Sequence, residues 1–131
     1  DAVPGAGPVI RTGDKSTLFD PTLVALLDEA GAALKSRGLK VQRTRLTGGS
    51  CEATAYLSYG YATAGVAIPL VNYHNGGTGT VEPEKVRLED VDAAVQLLTE
   101  TARRFPAALL RGALQSRLNA RHQKLARNLI R

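Results

Sequence analysis

Residues 63–75 read TAGVAIPLVNYHN, and the fold class turns on how this stretch is read. From Thr63 to Val71 the run is almost unbroken in apolar residues and is bounded by turn-forming ones, the pattern of a strand covered on both faces in an α/β protein. Pro69 limits that strand. A proline has no N–H to give to a sheet ladder, so it belongs at the strand's end or at a bulge, and Val71-Asn72-Tyr73-His74-Asn75 should be where the chain leaves the sheet. The glycine-rich GGTGT that follows makes residues 76–80 a loop.

Upstream, the signals alternate. Pro8-Val9-Ile10-Arg11 suits a short strand. Asp20-Pro21 is a helix start, because the aspartate can accept from free N–H groups of the first turn while proline at the first helical position sacrifices none. Leu23, Leu27, Ala30 and Leu34 then recur at helical spacing, and Gly38 supplies a left-handed helix end. Leu39 to Leu46 alternates as a strand with Leu39, Val41 and Arg43 on one side. Gly48 and Gly49 permit backbone angles or close approaches that a side chain forbids, and open a loop into a short helix ending at Gly60. Downstream, a helix beginning near Glu89 should bury Val91, Ala94, Val95, Leu98 and Ala102, with acidic residues in its first turn suiting the helix dipole. The order strand, helix, strand, helix, strand, helix predicts an α/β domain over residues 1–105.

From Pro106 the character changes. Residues 1–105 hold 11 basic against 12 acidic residues, whereas 106–131 hold six basic residues and no acid, so the net charge of +5 resides in the tail. Leu110, Leu114, Leu118, Leu125 and Leu129 recur among those charges, which predicts a basic amphipathic helix weakened at Gly112. No aromatic residue is interleaved with the basic ones to stack bases, which argues against nucleic acid as its partner. Packing on its own protein, or contact with another subunit, accounts for such a helix more simply.

The 131 residues with 44% apolar content suffice for one modest core. No run approaches the roughly 20 apolar residues of a membrane span. The single cysteine, Cys51, excludes an internal disulfide framework and fits a reducing compartment, hence the cytoplasm. In an open α/β sheet, ligands bind beyond the carboxyl ends of the strands. Gly48-Gly49-Ser50-Cys51-Glu52 and Asn72-Tyr73-His74-Asn75 both follow expected strands, which places them side by side there. Cys51 as a nucleophile with His74 as its base is one arrangement these residues allow. Glu52 as a helix-start residue and His74 in an ordinary turn are the plainer ones.

Three blocks carry a resemblance. Residues 7–30 (GPVIRTGDKSTLFDPTLVALLDEA), 47–75 (TGGSCEATAYLSYGYATAGVAIPLVNYHN) and 86–98 (VRLEDVDAAVQLL) are similar, in order and spacing, to the C-terminal part of the co-catalytic zinc aminopeptidases of the tetrahedral and glutamyl type. The resemblance covers about residues 1–103. It implies the C-terminal part of a zinc-exopeptidase-like three-layer αβα sandwich, to which the basic helix is an addition. It also implies peptide substrates, a homo-oligomer and two zinc ions, with cobalt or manganese as alternatives.

By that resemblance the loop Gly48, Gly49, Ser50, Cys51 and Glu52 lines the active site and His74 binds one metal. Asp1 is a candidate for a second-metal aspartate. Neutral imidazole is a common nitrogen ligand for zinc, which supports His74 on chemical grounds. The family's His-x-Asp motif, bridging aspartate and adjacent pair of glutamates have no counterpart here, so the chain is expected to be an incomplete portion of a catalytic domain. It would then be inactive without the remaining N-terminal part of the same protein. The alternative expectation is a non-catalytic peptidase-like module that uses its basic tail to bind a partner or an acidic surface.

Overall fold

The computed structural model describes residues 2–110. Strand β1 (Val9–Arg11) leads to helix α1 (Pro21–Lys35), strand β2 (Gln42–Thr44), helix α2 (Glu52–Ser58) and strand β3 (Gly65–Ala67). Strand β4 (Leu70–Val71), a single 3-10 turn (Tyr73–Asn75) and strand β5 (Lys85–Val86) then precede the long helix α3 (Leu88–Leu110). The alternating order follows the sequence expectation, with the β4–β5 hairpin added.

Helix α1 starts where Asp20 Oδ1 accepts from the N–H groups of Thr22 and Leu23, both at 2.9 Å. It ends before Gly38 at φ +87°, a backbone angle glycine adopts without strain. Leu26, Leu27, Ala30, Gly31 and Leu34 are buried along it, and Leu23 is only half-buried. Leu34, Leu97, Ile10, Phe19, Leu27 and Val41 belong to one core cluster between helices and sheet. Gly31 permits the helix to lie close on the sheet, since a Cβ there would stand 3.2 Å from Ile10 Cδ1.

The main sheet has the order β2-β1-β3, with β1 and β2 parallel and β1 and β3 antiparallel. Arg11 pairs with Gly65 and Val9 with Ala67. The strand expected over 63–71 is therefore divided. Its ladder with β1 stops at Ala67, ahead of Pro69, and β4 pairs instead with β5. Its residues from Thr63 to Ile68 are half-buried rather than enclosed on two faces, because β3 lies at one edge of the sheet.

Helix α3 turns a different face inward from the one its apolar spacing predicts. Asp90, Ala93, Ala94 and Leu97 are buried, while Val95 and Leu98 are 59% and 53% exposed and Ala102 is exposed too. The cause is Asp90. Its carboxylate accepts from the N–H of Gly5 at 2.7 Å and of Gly7 at 2.8 Å, which fixes the rotation of α3 about its own axis. Gly7, at φ +87°, is tightly placed: a Cβ would lie 1.9 Å from the Lys40 carbonyl oxygen. On the outer side, Glu100 gathers Arg37, Arg103 and Arg104, its carboxyl held below the usual range first by the hydrogen bond from Arg104.

The backbone of α3 continues through Pro106 to Leu110, so the boundary expected at Pro106 does not coincide with a helix end. Asp1 and residues 111–131, the greater part of the basic tail, lie outside the described residues. Among the described residues, no helix is long and apolar enough to cross a membrane.

Candidate functional site

The Gly48–Glu52 loop is organised by a residue that sequence reading passed over. Asp14, just beyond β1, is fully buried. One carboxylate oxygen accepts from the Ser16 and Thr17 N–H groups at 2.9 and 2.8 Å and from the Thr17 hydroxyl at 3.1 Å. The other accepts from the Cys51 N–H at 2.9 Å and from the Thr54 hydroxyl. The Thr54 hydroxyl, with the backbone donors of Cys51, Thr17 and Ser16, holds this carboxyl far below the ordinary range against the opposing effect of burial. A buried anion is thus fully hydrogen-bonded by the two loops it joins.

Further bonds seal the same junction. Lys15 donates its N–H to the Gly49 carbonyl at 3.1 Å, and the Ser16 and Ser50 hydroxyls meet at 2.5 Å. Arg45 Nε donates to the Asp14 carbonyl at 2.8 Å. The sequence signal for this arrangement was Asp14-Lys15-Ser16-Thr17, a pattern in which an aspartate caps the turn that follows it.

The two loop glycines behave differently from expectation. Neither Gly48 nor Gly49 has a positive φ, and neither has any atom within 4 Å of where a Cβ would stand. The fold of the described residues does not require glycine at either position; both face open space. Next to them, a cleft of about 380 Å³ lies between the end of β1, the start of α2 and the start of β3. Arg11, Phe19, Cys51, Glu52, Tyr56 and Gly65 contribute to its walls. Its volume is at the lower end of ordinary ligand pockets.

His74 sits in the turn between β4 and β5, exposed and at φ +57°. Asn72 and Asn75, at φ +60° and +59°, share that left-handed conformation, so three of four consecutive non-glycine residues occupy a region that side chains avoid. Such backbone persists only where surrounding bonds over-determine it. Those bonds are present. Asn72 Nδ2 donates to Glu82 Oε2 at 3.1 Å and to the Pro83 carbonyl at 2.9 Å, and Glu82 N–H donates to the Asn75 carbonyl at 3.0 Å. The His74 N–H donates to Glu84 Oε1 at 2.8 Å, and its ring lies 3.9 Å from that of Tyr73, tilted by 50°. Tyr73 and Glu84 therefore bracket the imidazole-bearing turn.

The sheet register fixes where the segment leading to His74 leaves the main sheet. Because β3 runs antiparallel to β1, it starts near Arg11, where the Asp14 junction lies, and ends at Ala67 beside Val9, where β1 begins. The hairpin carrying His74 thus departs from the opposite end of the sheet. Its second strand returns directly into α3, whose Asp90 binds Gly5 and Gly7 in the approach to β1. The expectation of side-by-side loops assumed parallel strands, whereas β3 runs antiparallel to β1. Among the described residues, no hydrogen bond connects Cys51 with His74; the Cys51 N–H goes to Asp14 and the His74 N–H to Glu84. His74 lies in the turn of the separate β4–β5 sheet, and Asp1 lies outside the described residues.

Among the described residues, no group of three or more His, Cys, Asp or Glu side chains could hold a metal ion. They offer His74 as a single imidazole and do not by themselves fit a metal centre, which takes about three protein ligands.

No protein-family model matches the chain, and no curated protein does. Among solved structures, PhTET1-12s, a tetrahedral aminopeptidase seen as a dodecamer in the asymmetric unit, matches with a TM-score of 0.60 and 26% sequence identity. The match covers 78% of this chain. The chain spans 28% of the length of that neighbour's chain. The mixed α/β arrangement is consistent with a peptidase-like fold.

Proposed function

We propose that this chain is the C-terminal portion of the catalytic domain of a metal-dependent aminopeptidase, with His74 as a metal ligand and the Gly48–Glu52 loop facing the substrate. The observation that supports this most strongly is the structural likeness to PhTET1-12s over 78% of the chain, coupled with a span of 28% of that protein's length. A second support is local. The His74 turn is held in a left-handed backbone by side-chain bonds of Asn72, Glu82 and Glu84 within the β4–β5 connection, the kind of rigid support that a ligand imidazole needs to point in one direction.

On this reading the remaining ligands and the general base come from outside residues 2–110, Asp1 among the candidates. The three-layer αβα sandwich is completed by the same missing part, and the assembly is a homo-oligomer acting on peptides in the cytoplasm. Zinc is the expected metal, with cobalt or manganese as substitutes. The described residues do not complete a metal site, and none of them is assigned a catalytic step.

The test is a comparison of two polypeptides under stringent purification. The 131-residue chain should show no turnover of aminoacyl-anilide substrates with zinc or cobalt added, whereas a protein that includes the upstream part of the domain should hydrolyse them. Turnover by the 131-residue chain alone, or none by the longer protein with metal bound, would overturn the proposal.

A further inference from the structure

The chain contains four asparagines, and of these Asn75 alone is followed by glycine. A side-chain amide next to a glycine meets a backbone nitrogen that no Cβ screens, in a residue whose backbone turns freely. Attack of the Gly76 nitrogen on Asn75 Cγ forms a C–N bond, closes a succinimide ring and expels the side-chain nitrogen as ammonia, which carries away the Gly76 amide proton. Water then opens the ring at either carbonyl and leaves aspartate or isoaspartate. We infer that Asn75-Gly76 is a site of spontaneous deamidation held in check by the folded β4–β5 turn, so that Asn75 is converted only when this turn opens.

The check lies in the hydrogen bonds. Ring closure requires the Asn75-Gly76 peptide plane to swing until its nitrogen faces Cγ, and both polar groups of that plane are held. Its carbonyl accepts from the Glu82 N–H at 3.0 Å, and its N–H donates to the Tyr73 carbonyl at 3.2 Å. The electrophile is held as well, since Asn75 Nδ2 donates to the Glu82 carbonyl at 3.2 Å. Asn75 itself stays at φ +59°, a left-handed conformation that asparagine tolerates. The check is also easily released. Among the described residues, β4 and β5 pair with each other alone and neither enters the core cluster, and an isolated two-stranded hairpin is marginally stable. Conversion then acts on the turn. An aspartate carboxylate cannot donate to the Glu82 carbonyl, and isoaspartate inserts an extra backbone carbon between two hydrogen-bonded groups. Either product loosens the turn that carries His74. This inference is independent of the peptidase reading.

Peptide mapping of the 131-residue chain, with the asparagine, aspartate and isoaspartate forms at position 75 separated, tests both the site and its gate. In denaturant, Asn75 should convert faster than Asn72, Asn119 and Asn128, and Gly76→Ala should remove that excess. In the folded chain, conversion of Asn75 should be about tenfold or more slower than in denaturant, because it proceeds only through the open fraction. Asn72→Ala deletes the donor to Glu82 Oε2 at 3.1 Å and to the Pro83 carbonyl at 2.9 Å. It should speed the folded-state reaction at least about fivefold, while the rate in denaturant and the global melt stay as they were. Glu82→Ala, which removes the acceptor of the first bond, should act in the same direction. No excess conversion at Asn75 in denaturant would overturn the site. Equal rates in folded and denatured chains, or folded-state rates in both variants equal to the parent's, would overturn the gate.

Discussion

Asp14 and Cys51 stand 37 positions apart in the chain, yet Asp14 Oδ2 accepts the Cys51 N–H at 2.9 Å and so fixes where the glycine loop ends and α2 begins. Asp14→Ala leaves that N–H and the Thr54 hydroxyl without their acceptor. A drop in melting temperature of about 5 °C or more is expected for a domain of this size, with increased exchange of the amides of residues 48–54. An unchanged melt would show that the junction does not hold the loop.

The same carboxyl gives the protein a specific acid sensitivity. Its folded-state pKa is depressed below the ordinary value of 3.8, so the stability it confers is complete above that value and is lost as pH falls below it. Acid unfolding of the Asp14→Asn protein should therefore be less steep than that of the parent chain below about pH 4. Identical acid profiles would contradict the linkage.

Gly7 and Asp90 predict stability effects by different routes. Gly7→Ala must resolve a Cβ 1.9 Å from the Lys40 carbonyl at a left-handed φ, so a loss of about 3 kcal/mol or more is expected by denaturant unfolding. Asp90→Ala removes no backbone space but strands the Gly5 and Gly7 N–H groups, at a cost of about 1–3 kcal/mol.

Gly48→Ala separates folding from function. Open space surrounds the position, so the folded chain should lose no more than about 0.5 kcal/mol, as at an ordinary surface site. If the loop faces substrate, kcat/KM of the complete peptidase should fall even though the melt does not move. Unchanged kcat/KM would remove the loop from the active surface.

In the complete protein, His74→Ala should reduce metal content and activity by at least the roughly 10- to 100-fold seen on losing even an outer-shell partner, while the melt is retained because the side chain is exposed. Elemental analysis beside a thermal scan decides it. Full metal occupancy in a folded His74→Ala protein would return Tyr73-His74-Asn75 to an ordinary turn.

Much of the fold was legible because its signals are local. Asp20-Pro21, Gly38 and Gly60 mark helix ends through caps and backbone angles that nearby residues determine. Strand direction is not local. Nothing in Thr63 to Val71 states that β3 runs antiparallel to β1, and the expectation of a parallel strand there failed on that point. The rotation of α3 was hidden for a similar reason, since it depends on Asp90 meeting two glycine N–H groups more than 80 positions away. Asp14 was overlooked because a polar residue in a turn reads as solvated unless its distant donors are known. His74 was visible as a lone imidazole between asparagines, but its left-handed backbone depends on Glu82 and Glu84 across the hairpin.

The Gly7–Asp90 bond also bears on the order in which the chain assembles. It closes a loop of 83 residues, whose entropy cost is on the order of 4 kcal/mol before the contact gives anything back. Such a bond forms late, after α1 and the β1–β2 pair have shortened the path between its ends. Probes at Gly7 and Asp90 should therefore have kinetic φ-values near zero and mainly accelerate unfolding, whereas substitutions at Leu27 or Leu34 should slow folding itself.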